Sequence, residues 1–332
     1  MKREGALIEQ VADMENLCLA YWKARKGKEG KQEVITFVRD LDRNLSSLHN
    51  QILCGNVAVG NYHYFTIYDP KERKICAASF SERVLHHALM NVCHANFEKY
   101  QVFHSYASRI GKGTFAAVKQ AALYQKQYRW FLKLDVRKYF DSIDQSILIS
   151  LLKRRFKDQF LLRIFTMIIG SYETASGKGL PIGNLTSQYF ANHYLACADH
   201  FLLEELQPAA YVRYMDDMVI WDNDKNRLLQ IGKLFKLFIA EVLFLQLKPF
   251  CLNRSEKGLP FCGFLFYPSK IRLNKNSRQR FASKIKKYWN HVELGEWSQS
   301  EFQLHITPLL AFTKHADSHG LRKNIILNMT GE

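Results

Sequence analysis

Along residues 33–53, Ile35, Val38, Leu41, Leu45, Leu48 and Ile52 recur at intervals of three and four, the spacing that lines one face of an α-helix. Residues 5–25 also read as a helix, and the polar run Lys26-Gly27-Lys28-Glu29-Gly30-Lys31 separates the two. From 61 to 79 the period drops to two on either side of Asp69-Pro70, which predicts a β-hairpin carrying Lys71, Arg73 and Lys74. Helical spacing returns from Arg83 to Phe97. It returns again over 114–127, behind a small-residue loop at 105–114 that holds Arg109, Gly111, Lys112 and Gly113.

The segment Trp130-Phe131-Leu132-Lys133-Leu134-Asp135 predicts a strand that ends on an acid. Residues 136–143 then turn the chain into helices at 144–156 and 158–170, and a glycine-rich stretch at 177–183 precedes a long helix over 184–206. Apolar, β-prone residues over 212–221 flank Asp216-Asp217 and set both acids at a hairpin tip. A helix over 225–243 and a second hairpin over 258–267 follow. In the last third, Arg280, Lys284 and Lys287 share one helix face beside Phe281, Ile285 and Tyr288. No internal repeat is visible.

Length and composition narrow the class. With 332 residues, 47% of them hydrophobic, the chain can form one large domain or two to three lobes. No run of eighteen apolar residues occurs, and the opening MKREGALIEQ lacks the apolar core of a signal peptide, so a soluble, cytoplasmic protein with no membrane partner is expected. Seven cysteines sit singly without a CxxC pair, against a zinc site or a disulfide framework. His86, His87 and His94 have no cysteine or acid completing a ligand set and read as ordinary helix histidines. The net charge of +16 favours a polyanionic partner, nucleic acid before a membrane surface.

The chemistry rests on Asp135 and the pair Asp216-Asp217. Taken alone, Asp135 reads as a helix N-cap or a surface acid, and the pair as a solvated acidic turn. Asp141 and Asp144, at the start of the next helix, read as such cap or surface acids. Together, acids on neighbouring strand ends can hold two divalent ions about 4 Å apart, the arrangement that activates a hydroxyl and stabilises a leaving pyrophosphate in nucleotidyl transfer.

Five ordered motifs resemble those of reverse transcriptases. FLKLDVRKYFDSI (131–143) is similar to the motif of the first catalytic acid, GLPIGNLTSQ (179–188) to the one framing the nascent base pair, and RYMDD (213–217) to the catalytic hairpin. PKERKI (70–75) is similar to the fingers hairpin and GLPFCGF (258–264) to the primer grip. The resemblance spans 35–290 and implies an α/β right-hand polymerase with fingers, palm and a helical thumb. It implies an N-terminal helical extension (1–60), fingers (61–128), a palm segment with the first acid (129–170), and the nascent-pair motif and its helix (171–206). The palm with the YMDD hairpin and primer grip (207–270) and the thumb (271–332) complete it.

Carried onto this chain, the resemblance implies Asp135, Asp216 and Asp217 as catalytic metal ligands for two Mg2+ ions, with Mn2+ a substitute. It implies dNTP contacts from Lys71, Arg73, Phe140, Ile182, Gly183 and Gln188, with Phe140 as the gate against a ribose 2′-hydroxyl; a core aromatic is the other reading of Phe140. Phe261, Cys262 and Gly263 match the primer grip, and Tyr214 packs beneath the acids. Arg109, Lys112, Arg280, Lys284 and Lys287 are the expected nucleic-acid contacts, with a surface turn as the alternative for the first two and a solvated face for the last three. Lys248 reads equally as a phosphate-side cation or a solvated lysine.

Most reverse transcriptases carry PQGxxxSP in the nascent-pair motif, whereas this chain has PIGNLTSQ, with Ile182, Ser187 and Gln188 at the variant positions. With SERVLHHAL and SYASRIGKGT upstream, that version resembles the enzymes of diversity-generating retroelements. That resemblance implies a bacterial or phage-encoded protein making cDNA from a template-repeat RNA, with errors opposite adenine, and held as an RNA–cDNA duplex. It implies a basic, oligomeric accessory variability determinant protein as partner. No nuclease domain is expected after the thumb. Retron, defence and maturase-like reverse transcriptases are the same-class alternatives, and a non-catalytic nucleic-acid-binding scaffold the different-class one.

Overall fold

The computed structural model describes residues 5–68 and 72–330. They form two compact units built from interleaved segments: one from the described residues up to 103, 136–206 and 234–248, the other from 104–135, 207–233 and 249 onward.

In the first unit, four N-terminal helices stand where two were expected: Ile8–Ala12, Met14–Arg25, Gln32–Arg39 and Leu41–Leu53. Asp13 breaks the first pair, leaving helical geometry so that its carboxylate accepts from the Asn16 amide at 3.1 Å. Asp40, at φ −124° and ψ 47°, breaks the second. That break shifts the helical phase. Val34 and Phe37 turn inward, the Phe37 ring meeting Phe80 edge-on at 5.0 Å, while Ile35 and Val38, expected in the buried stripe, are exposed.

Strands β1 (Tyr62–Tyr68) and β2 (Glu72–Ala78) pair antiparallel from Tyr62↔Ala78 to Tyr68↔Glu72. Ser79 caps the helix Phe80–Glu98, where Glu82 and His86 form a buried pair at 3.5 Å and His94 Nδ1 lies 2.9 Å from the Tyr189 hydroxyl. Burial pushes His87 down to about 4. Asp144 caps Gln145–Lys153, as expected of that acid, and Gln159–Gly170 follows. The helix predicted over 184–206 is regular only over Leu185–His200. It loosens to π geometry over Phe201–Leu206, where the Phe201 ring stacks on Phe238 at 4.0 Å.

The second unit is organised on a four-stranded antiparallel sheet of order β4-β5-β3-β6. Its strands are β3 (Trp130–Asp135), β4 (Ala210–Tyr214), β5 (Asp217–Asp222) and β6 (Cys251–Arg254), the last not anticipated from the sequence. A smaller sheet joins β7 (Leu259–Phe261), β8 (Phe264–Phe266) and β9 (Ile271–Leu273). Phe131, Val219, Trp221, Phe261, Phe264 and Phe266 are fully buried, and the helix Thr114–Gln127 packs Ala117, Val118 and Ala121 against them. Each such aromatic contributes about 2–3 kcal/mol over its exposed state. The Trp221 indole donates to Gln125 Oε1 at 2.9 Å, and Gln125 Nε2 donates to the Ser255 carbonyl at 2.8 Å, so the core leaves neither polar group unsatisfied. Three helices close the chain, Lys275–Glu293, Gln299–Thr313 and His319–Thr330, around Phe281, Ile285 and Ile306. No helix among the described residues is long and apolar enough to cross a membrane.

Candidate active site

The acids meet through strand register. Asp135 is the last residue of β3 and lies opposite Asp217, the first of β5; Asp217 in turn lies opposite Tyr214. Between them Met215 and Asp216 form a two-residue loop, with Met215 at φ 55°. A positive φ at the first central position is what a type II′ hairpin turn needs, and it is a strained conformation for methionine. The turn is held from below. Arg213 is fully buried and its Nη1 donates to the Met215 carbonyl at 3.1 Å, while Tyr214 accepts at its hydroxyl from Thr114 Oγ1 at 2.8 Å. Strand β4 is fixed in turn by the loop before Thr114, through Tyr106 N to the Arg213 carbonyl and Arg213 N to the His104 carbonyl, both 2.9 Å.

Lys133 shares a face of β3 with Asp135, two residues on. Its ammonium donates to Asp217 Oδ2 at 3.0 Å and to the Pro260 carbonyl on β7 at 2.7 Å, so one side chain joins the acidic hairpin to the next hairpin. Asp217 Oδ1 is buried without a hydrogen-bond partner among the described residues. Desolvation raises the Asp217 carboxyl from 3.8 to about 6; Lys133 opposes this, and the negative charges of Asp135 and Asp216 add to it.

An orphaned carboxylate oxygen beside two like charges is the donor set a hard divalent cation satisfies, so the residues fit Mg2+. Among the described residues no three His, Cys, Asp or Glu side chains form a ready-made cluster, and the fit rests on these carboxylates drawing together around an ion. A pH dependence follows. Because the folded state holds the Asp217 proton up to about 6 and the unfolded chain releases it near 3.8, stability falls as pH rises through that window and stays lower above it. A divalent cation binds only the carboxylate, so Mg2+ should raise the melting temperature at about pH 7.5 and barely at about pH 5. Asp217→Asn should remove the difference. Equal Mg2+ shifts at both pH values in thermal melts would separate Asp217 from the metal.

The β7–β8 turn places the expected primer-grip residues. Phe261 is buried, and Cys262 and Gly263 occupy a two-residue loop with φ of 47° and 85°, the double positive φ of a type I′ turn. A Cβ on Gly263 would stand 2.9 Å from Ser277 Oγ. Burial pushes the Cys262 thiol well up, and the Asp217 charge pushes the same way. Arg109 and Lys112 are turned onto their own loop: Arg109 Nη1 donates to the Ser105 carbonyl at 2.7 Å, and the Lys112 ammonium sits 4.9 Å over the Tyr106 ring. On the helix Lys275–Glu293, Phe281 and Ile285 face inward, Arg280, Lys284 and Tyr288 are half-buried, and Lys287 is exposed.

The expected dNTP contacts belong to the first unit, apart from Lys71, which lies outside the described residues, as do Asp69 and Pro70. Arg73 is exposed on β2 opposite Ile67. The Ile182 carbonyl accepts from the Cys76 amide at 2.8 Å, and Asn184 Oδ1 from the Ala78 amide at 3.3 Å, which ties the nascent-pair segment to β2. Gly183 has φ +125°, and a Cβ there would stand 2.9 Å from Ile75, so the close approach requires glycine. Phe140 is half-buried; its carbonyl accepts from the Leu180 amide at 2.9 Å, which brings it to the same segment, and Gln188 is half-buried on the following helix. Lys133, Arg213 and Thr114 were not singled out from the sequence. Of these, Lys133 was accessible, since period two puts it beside Asp135.

Residues 69–249 match the family described as reverse transcriptase (RNA-dependent DNA polymerase). The COX1/OXI3 intron 1 protein of Saccharomyces cerevisiae is 23% identical over 209 residues, 59% of this chain and 25% of that protein. A 91 kDa protein in the cob intron of Schizosaccharomyces pombe is 25% identical over 137 residues, 40% of this chain and 17% of that one. The chain thus spans about a quarter or less of these relatives' length. Among solved structures, telomerase from Candida albicans, in complex with a fragment of telomeric RNA, covers 79% of this chain and 54% of its own at 14% identity and a TM-score of 0.47. Apo telomerase from Candida tropicalis covers 75% and 57% at 12% identity and 0.48.

Proposed function

This chain belongs to the reverse transcriptase (RNA-dependent DNA polymerase) family, and from that premise we propose that it is an RNA-directed DNA polymerase acting through Asp135, Asp216 and Asp217. The observation that carries the reading is the Asp135↔Asp217 register with a buried, unsatisfied carboxylate oxygen at its centre. Two divalent ions held there would activate the primer 3′-hydroxyl and stabilise the leaving pyrophosphate. The chain's own contribution is placement. Arg213 and Thr114 hold the strained turn that presents Asp216, and Lys133 bonds Asp217 Oδ2. Phe140 offers only van der Waals contact, which excludes a 2′-hydroxyl by size. Extension of a DNA primer on an RNA template with Mg2+ tests the reading, and RNA binding without extension by the soluble protein would overturn it in favour of a scaffold.

Within the family, PIGNLTSQ supports the diversity-generating reading: cDNA copied in the cytoplasm from a template-repeat RNA, with a basic accessory protein as partner. Isoleucine offers the nascent pair shape without a donor or acceptor, so a polar anchor that would hold template and dNTP in register is missing at 182. Ile182→Gln should therefore lower errors opposite template adenine by about ten-fold, an anchor of about 1.4 kcal/mol, and change errors opposite the other bases less. Sequencing cDNA made by both proteins from one RNA decides it; unchanged adenine errors with activity intact would return Ile182 to packing.

The similarity to yeast intron proteins supports a second reading, a maturase-like reverse transcriptase. It expects parental errors spread over all four template bases.

A further inference from the structure

Trp130 opens β3 at the end opposite Asp135, roughly 17 Å away along the strand and, at an odd spacing, on the other face of the sheet. Two cations stand over its ring: Arg254, its register partner on β6, with the guanidinium carbon 5.3 Å from the centroid, and Lys225, with its ammonium at 5.4 Å. Lys126, Arg129 and Arg254 also line a recess of about 210 Å³ beside Trp130, bordered by the Ser255-Glu256 turn and Pro268. Lys126, Arg129, Lys225 and Arg254 are all exposed. The local acids do not cancel them: Asp222, opposite Trp130, is paired to Arg227 at 3.0 Å, Asp224 beside Lys225 accepts from the Asn226 amide at 2.8 Å, and the recess itself sets Glu256 against Lys126, Arg129 and Arg254.

We propose that this recess is a second RNA-backbone contact, independent of the polymerase centre, that takes the phosphates of a structured RNA strand. This rests on the reading of the chain as an enzyme that works on RNA. A recess of this volume is smaller than the ~300–1,000 Å³ that encloses a whole small molecule, so it suits a few groups of a longer chain. Arg254 is exposed with its guanidinium 5.3 Å from the Trp130 ring, and a guanidinium matches phosphate oxygens bidentately. Arg129 and Lys126 extend the same positive surface along the recess. A contact made to phosphates carries no base information, so it is insensitive to sequence.

The test compares the parent with Arg129→Glu/Arg254→Glu and with the milder Arg129→Ala/Arg254→Ala, in the full chain. Each is measured for affinity to a long structured RNA over a salt series, and for extension on a minimal primer–template duplex that reaches only the acids. Affinity for the long RNA should fall about ten-fold or more, with the log–log salt slope flatter by roughly 1.4 for two phosphates on a single strand, while minimal-duplex extension stays at the parental rate. Unchanged affinity and slope would overturn the proposal and leave an acidic protein as the occupant. An equal loss on the minimal duplex would also overturn it, because the defect would then lie at the acids. A parent that binds the long RNA but extends no primer would instead defeat the polymerase reading, with the recess tested by affinity alone.

Discussion

Asp216→Asn should reduce nucleotide incorporation at least about a thousand-fold, a loss of roughly 4 kcal/mol of transition-state stabilisation, with little change in fold or RNA affinity. The amide keeps the size of the residue but exchanges one acceptor oxygen for a donor and removes the charge that holds a hard cation. Asp216 is the second residue of a two-residue turn that opens at Met215, and the Arg213 bond to the Met215 carbonyl that holds this turn is untouched by the substitution. Single-turnover incorporation, with a melt to show the fold intact, checks it. Rates within ten-fold of the parent would remove Asp216 from the metal site.

Lys133→Met should lower the rate constant about a hundred-fold near pH 7 while leaving the Michaelis constant for dNTP nearly unchanged. The substitution keeps the length of the stem but removes the ammonium that bonds Asp217 Oδ2 and the Pro260 carbonyl. Lys133 is what opposes the rise in the Asp217 pKa, so without it the value moves above about 6 and more of the carboxyl is protonated near neutrality. Part of the lost rate should therefore return at about pH 8.5, and Lys133→Arg, which keeps the charge, should be less impaired at every pH. A deficit that does not change with pH would mean that Lys133 acts only by tying β7 to β3.

Much of the second unit could be read before its coordinates, because its elements carry clean periods and bounded ends. The strand ending at Asp135, the helix over 114–127 and the two hairpins lie where alternation and turn residues put them. The misses have physical causes. Asp40 sits inside an unbroken helical stripe, and its effect appears only because packing against Phe80 selects Phe37 over Val38. Strand β6 is four residues long, and three of them are polar, cationic or exposed; only hydrogen bonding to β3 makes it a strand. For the acids, sequence gives the residue types and the tip of the hairpin. The Asp135↔Asp217 register and the Lys133 bridge are tertiary facts. Arg213 shows the limit most plainly: nothing in the alternation over 212–221 says that this arginine is buried and braces the turn.

The interleaving of the two units also bears on how the chain is made. Strand β3 emerges from the ribosome long before β5 and β6, which occupy its two edges, and the first unit likewise waits for residues 234–248. Until then a strongly apolar strand has both edges unpaired, the state most open to pairing with another nascent chain. Neither unit is a continuous stretch that could finish folding while the other is still being translated. Slow, late acquisition of structure during synthesis and sensitivity to truncation at the C-terminal side follow from that order, and co-expression with a holdase chaperone should raise the soluble yield more than it does for a protein of similar size with contiguous domains.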